Sequence, residues 1–351
     1  MSELMNYLED AVSSQASDLF LVAGGPVSLK TEGRICPINK TRLLPPDTQV
    51  LLTEIYAMAN RSMDAYLKSG DDDFSFAVPG LARFRVNAYR QRSSMAAVVR
   101  VVSFDIPKWE DLHILPEVMD LADTHHGMIL VTGTAGSGKS TTQACIIDRI
   151  NRTRDCHIVT LEDPIEFLHR NQRSIVSQRE IAIDTADYLS ALRACLRQAP
   201  DVILLGEMRD AETIRTAITA AETGHTVIAT LHTNGAVNAI NRVIDSFSAS
   251  HQTQIRVQLA TVLRTVVSQQ MLPDIHGNMI PAFEIMHMNS AIRGLIRDNK
   301  NHQIDNAITA GRSEGMISMD QSILTHYRNG LISKETALSY ADHPEQLQRQ
   351  L

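Results

Sequence analysis

The sequence has few cysteines, no long apolar run and no surplus of basic residues. Its four cysteines are scattered without a C-x-x-C pair, which favours reduced, mostly buried thiols over disulfides or a zinc site. No apolar run approaches the roughly 18 residues that a membrane-spanning helix needs, and the first ten residues lack the pattern of a signal peptide. We therefore expect a cytosolic protein that reaches a membrane only through a partner.

The charge balance speaks against a further class of function. The chain of 351 residues carries 33 lysines and arginines against 40 aspartates and glutamates, a net charge of −7. Proteins that bind nucleic acids usually show a basic surplus, so we expect no nucleic-acid partner. The length suffices for two domains of ordinary size, and the 44% hydrophobic content can fill their cores.

The most informative stretch is a glycine-rich loop between a short apolar run and a predicted helix. Met128–Val131 is typical of a buried parallel strand, the helix covers Thr141–Ile150, and the loop carries the pattern Gly-x-x-x-x-Gly-Lys-Ser. Such glycines let successive backbone N–H groups point at one anion, and the helix N-terminus adds partial positive charge. We predict that the loop binds a nucleoside triphosphate. The predicted contact residues are Gly133, Thr134, Ala135, Gly136, Ser137, Gly138, Lys139, Ser140 and Thr141.

Two side chains at the start of this helix have separate predicted roles. Lys139 would reach the β- and γ-phosphates, and the Ser140 hydroxyl would complete a Mg²⁺ site, which makes Ser140 the predicted metal ligand. The alternative is a glycine-rich turn with a chance lysine. The flanking strand and helix argue against that alternative, because they are the context that the motif requires.

Three further polar residues follow predicted strands of the same sheet. From Gly127 onward strands alternate with helices, the pattern of a parallel sheet whose ligands bind at the carboxyl ends of its strands. Glu162, Glu207 and His232 each stand just after such a strand, which should bring them to one edge. Glu207 is predicted to polarise the attacking water, Glu162 to face metal or water, and His232 to report the γ-phosphate. Each could instead be an ordinary polar loop residue.

Arginines are concentrated on one face of an earlier strand. In the predicted strand Ala82–Tyr89, alternation places Arg83 and Arg85 on one face, and Arg100 lies in the next strand. The pattern alone favours a solvated surface. A surface that binds phosphate is the alternative.

The order of predicted elements divides the chain into two domains. Residues 1–105 are predicted to form a small α+β domain, 106–112 a linker, and 113–351 an α/β domain whose part 290–351 is helical. Within the second domain, Asp184–Ala199, capped by Asp184 or Thr185, and Ser250–Ser268 are predicted helices.

Taken together, the motifs resemble the PilT family of type IV pilus retraction ATPases over nearly the full chain. The matching motifs are GTAGSGKSTT (Walker A), TLEDPIEF (Asp box), LLGEMRD (Walker B), AETGHTVIATLHTNGA (His box) and, near the C-terminus, AIRGLIRD. The chain departs from the usual pattern at Thr134 and Ala135, where the family has proline and threonine, and at Phe20, where it has histidine. Gly294 and Asp298 replace the family's asparagine and glutamate.

The resemblance implies a PAS-like N-terminal domain joined to a RecA-like P-loop ATPase domain with a helical C-terminus. It also implies a homohexameric ring that hydrolyses ATP with Mg²⁺ to drive pilus retraction and twitching motility. Arg85 and Arg100 match arginines that complete each active site from the N-terminal domain, where bidentate contacts to a γ-phosphate suit them. The implied partners are an inner-membrane platform protein and the pilus machinery, at the cytoplasmic face of the inner membrane.

Several alternatives share parts of this pattern. Pilus-assembly and type II secretion ATPases usually carry an additional N-terminal domain and a four-cysteine zinc module, for which this sequence offers no counterpart. A retraction-accessory paralogue has the same motifs, and AIRGLIRD favours the principal motor. A RecA-like nucleic-acid translocase would share the ATPase core, against which the acidic balance argues. A module that senses ATP without turnover is disfavoured because Glu207 and His232 are both present.

Overall fold

The computed structural model describes residues 2–31, 33–102 and 106–351. Within these residues the chain forms two β-sheets flanked by helices, which confirms the predicted mixed α/β class. None of the described helices is both long enough and apolar enough to cross a bilayer. By its internal contacts the chain divides into two compact units. These units are Met1–Asp105 with Glu166–Leu168, and Ile106–Ile165 with His169–Leu351.

The first unit is an antiparallel sheet with helices packed on one face. Its strands lie side by side in the order Arg34–Arg42, Pro26–Thr31, Asp18–Val22, Ser94–Val102, Ala82–Gln91 and Asp71–Val78. The inward side chains of the strands share one core with the apolar face of the first helix, where Leu4, Leu8 and Ala11 are fully buried. The elements are α1 (Glu3–Ser13), β1 (Asp18–Val22), β2 (Pro26–Thr31), β3 (Arg34–Arg42), α2 (Pro45–Met58), α3 (Asp64–Ser69), β4 (Asp71–Val78), β5 (Ala82–Gln91) and β6 (Ser94–Val102).

The second unit begins with a short helix and then alternates strands with helices before ending in helices. Its helices are α4 (Pro116–Met119), α5 (Lys139–Thr153), α6 (Tyr188–Cys195), α7 (Ala211–Glu222), α8 (Ala236–Asp245), α9 (Ala249–Val262), α10 (Ser290–Arg297), α11 (Ile304–Ala310), α12 (Met319–Arg328), α13 (Lys334–Tyr340) and α14 (Pro344–Gln348). Its strands are β7 (Gly127–Thr132), β8 (His157–Glu162), β9 (Ile175–Glu180), β10 (Val202–Leu205), β11 (Thr226–Leu231), β12 (Leu263–Pro273) and β13 (Met279–His287). Short 3₁₀ turns lie at Asp120–Asp123, Asn301–Gln303 and Gly311–Glu314.

The sheet of the second unit has the strand order β13-β12-β7-β11-β10-β8-β9 and is parallel except for β13. Strand β7 is buried along its whole length, which explains its continuous apolar run. Met128 and Leu130 pack on one side of the sheet, and Ile129 and Val131 pack on the side of α5. Because β7, β8, β10 and β11 are parallel, the loops that follow them meet at one edge.

The prediction of a helix over Ser250–Ser268 is wrong in its second part. Helix α9 ends at Val262, and the chain continues directly into β12. The run Thr265-Val266-Val267 is β-branched, and this residue type fits a pleated, buried strand better than a helix. Strand pairing determines that this segment is a strand, because β12 lies between β7 and β13 and forms backbone hydrogen bonds with both.

Two other features differ from the sequence prediction or were absent from it. Helix α6 starts at Tyr188 rather than at Asp184, because the Asp187 carboxylate accepts a hydrogen bond from Ser190 N at 2.7 Å and so caps the helix. Strand β9 was not predicted. It extends the sheet beyond β8 in parallel, from the pair His157–Ile175 to the pair Glu162–Glu180.

Helix α10, which carries the AIRGLIRD motif, is hydrogen-bonded to the C-terminal turn of α9. Its N-terminus is capped by the Asn289 side chain, which accepts from Ile292 N at 3.0 Å, and Ile292 and Ile296 are fully buried. The Arg293 guanidinium donates to the carbonyls of Ala260 and Thr261, near the C-terminus of α9. A cation there satisfies helix carbonyls that have no intrahelical donor, so Arg293 has a structural contact.

Candidate functional site

The glycine-rich loop leaves the carboxyl end of β7 and leads directly into α5. Gly133 has φ +144°, and a Cβ there would lie 2.2 Å from the Gln269 carbonyl oxygen and 2.5 Å from Ser137 Oγ. Gly138 has φ +84° and is the N-cap of α5. Both positions therefore exclude any residue with a side chain, the first by contact and the second by conformation. The loop shape thus follows from the two glycines that define the motif.

The interior of the loop is suited to an anion. The Lys139 amine donates to the carbonyl oxygens of Gly133 at 2.9 Å and Thr134 at 2.7 Å, although its side chain is only 8% exposed. Ser137 is 2% exposed, and its hydroxyl has no hydrogen-bond partner among the described residues. A phosphate would offer both groups charged acceptors, which form stronger hydrogen bonds than carbonyls do. These observations fit a bound triphosphate.

The remaining predicted loop residues surround this interior. The tip of the loop, formed by Thr134, Ala135 and Gly136, is exposed. Ser140 and Thr141 lie in the first turn of α5 and are half-buried. The Ser140 hydroxyl is thus beside the loop, at a helix N-terminus whose partial positive charge favours phosphate. An oxygen donor of this kind suits Mg²⁺.

Glu207 and His232 meet at the carboxyl edge of the sheet, as their positions after β10 and β11 predict. His232 Nε2 lies 3.5 Å from Glu207 Oε1. The Glu207 side chain is 19% exposed, and its other oxygen accepts from Arg209 Nε at 2.6 Å. Arg209 was not among the predicted site residues, although its position two residues after Glu207 is compatible with an ion pair. The pair holds the Glu207 carboxylate in a fixed orientation next to the histidine.

Glu162 is the last residue of β8 and is held by two neighbours. Thr160 Oγ1 donates to Glu162 Oε1 at 2.6 Å, and Gln178 Nε2 donates to the same oxygen at 3.2 Å. Gln178 comes from β9, the strand that sequence analysis missed, so no sequence signal identified it. Both hydrogen bonds fix the orientation of the Glu162 carboxyl group at the end of β8.

Tyr188 is a further residue at this edge that the sequence did not reveal. Its hydroxyl lies 2.8 Å from the position that a Cβ on Gly206 would occupy, so the residue before Glu207 must be glycine unless Tyr188 moves. Burial raises the pKa of Tyr188, and the nearby carboxylates of Asp163, Glu207 and Glu162 act in the same direction. Tyr188 therefore stays protonated and packs against the start of the Glu207 loop.

Arg85 and Arg100, which belong to the first unit, lie opposite each other on β5 and β6 and so face the same side of that sheet. Arg100 Nε donates to Asp18 Oδ1 at 3.0 Å, and Arg85 Nη2 lies 3.9 Å from Asp73 Oδ1. The carboxylates offset the repulsion between the two guanidinium groups. The arginines border a groove of about 300 Å³ that is lined by Asp18, Asp73, Arg85, Asn87, Val98 and Arg100.

A buried carboxyl group that the sequence analysis did not single out lies behind the His232 loop. Glu284, on β13, is 6% exposed and accepts a hydrogen bond from Ala236 N at 2.7 Å, at the start of α8. Burial raises the pKa of Glu284 to about 7. The cavity beside it, of about 360 Å³, also contains Asp305 and Asp342, whose pKa values burial raises as well.

We expect replacement of Glu284 by glutamine to remove part of the pH dependence of stability. Between its ordinary pKa of 4.5 and about 7, the folded state keeps a proton that the unfolded state releases, so the free energy of unfolding falls as pH rises. The loss above pH 7 is about 3 kcal/mol. Urea denaturation should therefore show Glu284→Gln to be more stable than the parent at pH 8 and similar to it at pH 4.5. The exposed Glu335→Gln is the control, and equal pH profiles for all three proteins would contradict the expectation.

The chain is similar to secretion and pilus proteins over nearly its whole length. The family described as Type II/IV secretion system protein matches residues 1–314. The type IV pilus retraction ATPase PilT of Pseudomonas aeruginosa is 42% identical over 343 residues, which cover 98% of this chain and 99% of the relative. A twitching motility protein of Neisseria gonorrhoeae is 41% identical over 320 residues, which cover 91% of this chain and 85% of the relative. The crystal structure of the pilus retraction motor PilT with bound ADP superimposes with a TM-score of 0.90, at 42% identity and over 99% of each chain.

Proposed function

We propose, from the fact that this chain belongs to the PilT family of type II/IV secretion system proteins, that it hydrolyses ATP as a motor for type IV pilus retraction. The observation that carries the proposal is the end-to-end similarity to a retraction ATPase, at 42% identity. A phosphate-binding loop alone would fit many NTP hydrolases. The similarity extends through both units and includes the C-terminal helices that follow the ATPase core.

In the proposed reaction the loop residues bind and orient the substrate. Backbone N–H groups from Gly133 to Lys139 receive the phosphates of ATP, and the Lys139 amine exchanges its carbonyl partners for phosphate oxygens. Ser140 would hold Mg²⁺, which would supply neutralisation of the phosphate charge when bound. The chemistry left to the protein is mainly positioning and electrostatic stabilisation.

The side chains at the carboxyl edge of the second sheet position and activate the attacking water. Glu207 orients and polarises the attacking water, and His232, 3.5 Å from it, responds to the γ-phosphate. Glu162, which accepts hydrogen bonds from Thr160 and Gln178 at the same edge, faces metal or water. Arg85 and Arg100 contact the phosphates and stabilise the charge that develops on them.

We further propose that the working form is a homohexameric ring at the cytoplasmic face of the inner membrane. It would associate with a membrane platform protein and the pilus machinery and drive removal of pilin subunits. The absence of a basic surplus, with a net charge of −7, is the reason to expect no nucleic-acid partner.

The test is complementation of a bacterial strain that lacks its retraction ATPase and therefore does not twitch. We expect this chain to restore twitching, and Lys139→Ala to fail, because without the amine the triphosphate loses its main cationic contact. Lys334→Ala, which changes an exposed lysine on α13, is the matched control and should restore twitching. Failure to restore twitching in this strain, together with restoration in a strain that lacks only its accessory retraction ATPase, would identify an accessory paralogue. Hydrolysis stimulated by DNA or RNA would instead indicate a translocase.

A further inference from the structure

Strand β12 places one buried glutamine against the phosphate-binding loop. β12 runs parallel to β7, and the last residue pair between them is Ser268 with Thr132. Gln269 therefore follows at the level of Gly133, where β7 gives way to the loop. Gln269 is 3% exposed. A buried amide needs hydrogen-bond partners, and its contacts show which part of the site it serves.

Gln269 touches both ends of the loop and the helix beyond it. Its backbone carbonyl oxygen lies 2.2 Å from the position that a Cβ on Gly133 would occupy, and its side-chain Nε2 lies 2.9 Å from the corresponding position on Gly138. Its Oε1 accepts a hydrogen bond from Thr142 Oγ1, on α5, at 2.8 Å. One residue thus fixes the first glycine, the last glycine and the helix that carries Lys139.

The residues beside Gln269 fix the loop that carries His232. Ser268 Oγ accepts from Gly235 N at 2.9 Å, and Glu284, which pairs with Ser268 across β12 and β13, accepts from Ala236 N at 2.7 Å. Gly235 and Ala236 follow His232 closely. Successive residues of β12 therefore hold the phosphate-binding loop and the His232 loop, and β12 sets the spacing between them.

We propose that Gln269 is a positioning residue for nucleotide binding. Its side chain keeps the phosphate-binding loop in the shape that receives a triphosphate, and it acts through Gly138 and Thr142 without touching the reacting atoms. The inference rests on the proposed function only in its choice of ATP as the ligand. Because the loop holds the phosphates equally in the ground state and the transition state, its loosening removes uniform binding.

Loss of uniform binding should raise the KM for ATP and leave kcat nearly unchanged. In Gln269→Ala the KM for ATP and the Kd for ADP should rise about tenfold while kcat changes little, as loss of a buried hydrogen bond and its packing would give. Gln270→Ala is the matched control, since the neighbouring glutamine donates to the Tyr340 carbonyl instead and should leave both constants unchanged. Steady-state kinetics and ADP titration calorimetry provide the two readouts.

A pair of variants at Thr142 tests the same contact without creating a cavity on β12. Thr142→Val keeps the shape of the side chain and removes the donor, so the Kd for ADP should rise about threefold. Thr142→Ser keeps the donor and should retain the parent affinity. This pair decides the question even if Gln269→Ala fails to fold.

The outcomes separate this inference from the proposed function. If the parent protein does not hydrolyse ATP, the proposed function fails, and the ADP titrations still test Gln269. Parent-like Kd and KM values in both Gln269→Ala and Thr142→Val would overturn the inference while the function stands. A fall in kcat with KM unchanged would also overturn it, because the residue would then act on the transition state alone.

Discussion

Replacement of Glu207 by glutamine is expected to reduce ATP hydrolysis by about two to four powers of ten, the usual effect of removing a residue that takes or orients a proton. Glutamine has the same shape, so the contact with Arg209 Nε, now 2.6 Å, and the nearby His232 can persist without the negative charge. ATP binding should survive, because the loop residues that hold the phosphates are unchanged. Phosphate release under saturating ATP measures the rate, and ATP affinity measured on the slow variant shows the binding.

Glu212→Gln is the control for this substitution. Glu212 is an exposed carboxylate on α7 that pairs with Arg193 and Arg215, so its loss also removes one negative charge near the surface. We expect this control to keep the parent rate. If Glu207→Gln turned over ATP at nearly the parent rate, Glu207 would have no role in activating water. Glu162, which accepts hydrogen bonds from Thr160 and Gln178, would then be the residue to test.

The second large effect is expected for Arg85→Ala. Arginines that stabilise the transition state of phosphoryl transfer are worth about three to five powers of ten in kcat. We expect Arg85→Ala to lower ATP hydrolysis by at least about a hundredfold, with Arg100→Ala affected in the same direction. The fold should remain intact, because the Arg85 side chain is 35% exposed and Asp73 keeps a second partner in Asn87. Circular dichroism and thermal melting measure the fold, and phosphate release measures the activity.

Arg34→Ala is the matched control, since Arg34 is an exposed arginine on β3 of the same unit. It should hydrolyse ATP at the parent rate. If Arg85→Ala hydrolysed ATP at a rate within twofold of the parent rate, Arg85 would have no catalytic role. The groove beside Arg85 and Arg100 would then be an ordinary solvated surface. The alternating pattern of β5, taken alone, favours that interpretation.

The parts of the site that could be predicted from sequence are those in which the chemistry is local. The phosphate-binding loop could be predicted because its motif lies in one short segment. Its Gly133 and Gly138 adopt positive φ angles, which residues with a side chain rarely adopt. The convergence of Glu207 and His232 was also predictable, because parallel strands bring the residues after them to one edge. The first prediction needs only a short motif, and the second needs only the rule that parallel strands end at the same edge of a sheet.

The missed residues depend on pairing between distant segments. Strand β12 was predicted as part of a helix because its pairing with β7 and β13 outweighs local preference, and no short window contains that information. The roles of Gln178 and Gln269 follow only from the positions of β9 and β12 in the sheet. The roles of Arg85 and Arg100 remain a prediction, and the structure places both on one face of the first sheet.

The contact between Gln269 and the phosphate-binding loop also bears on the order in which a ribosome makes this protein. Thr142 and Gln269 are 127 residues apart in the chain, so the loop emerges well before the strand that supports it. At about 5–20 residues per second, the nascent loop would wait roughly 6–25 s for β12. Throughout that interval β7 lacks β12, and until residue 231 has been made it also lacks β11, so it exposes apolar strand edges. The nascent ATPase core would therefore depend on chaperones or on rapid synthesis until residue 273 has left the ribosome, and it would acquire nucleotide affinity only late in translation.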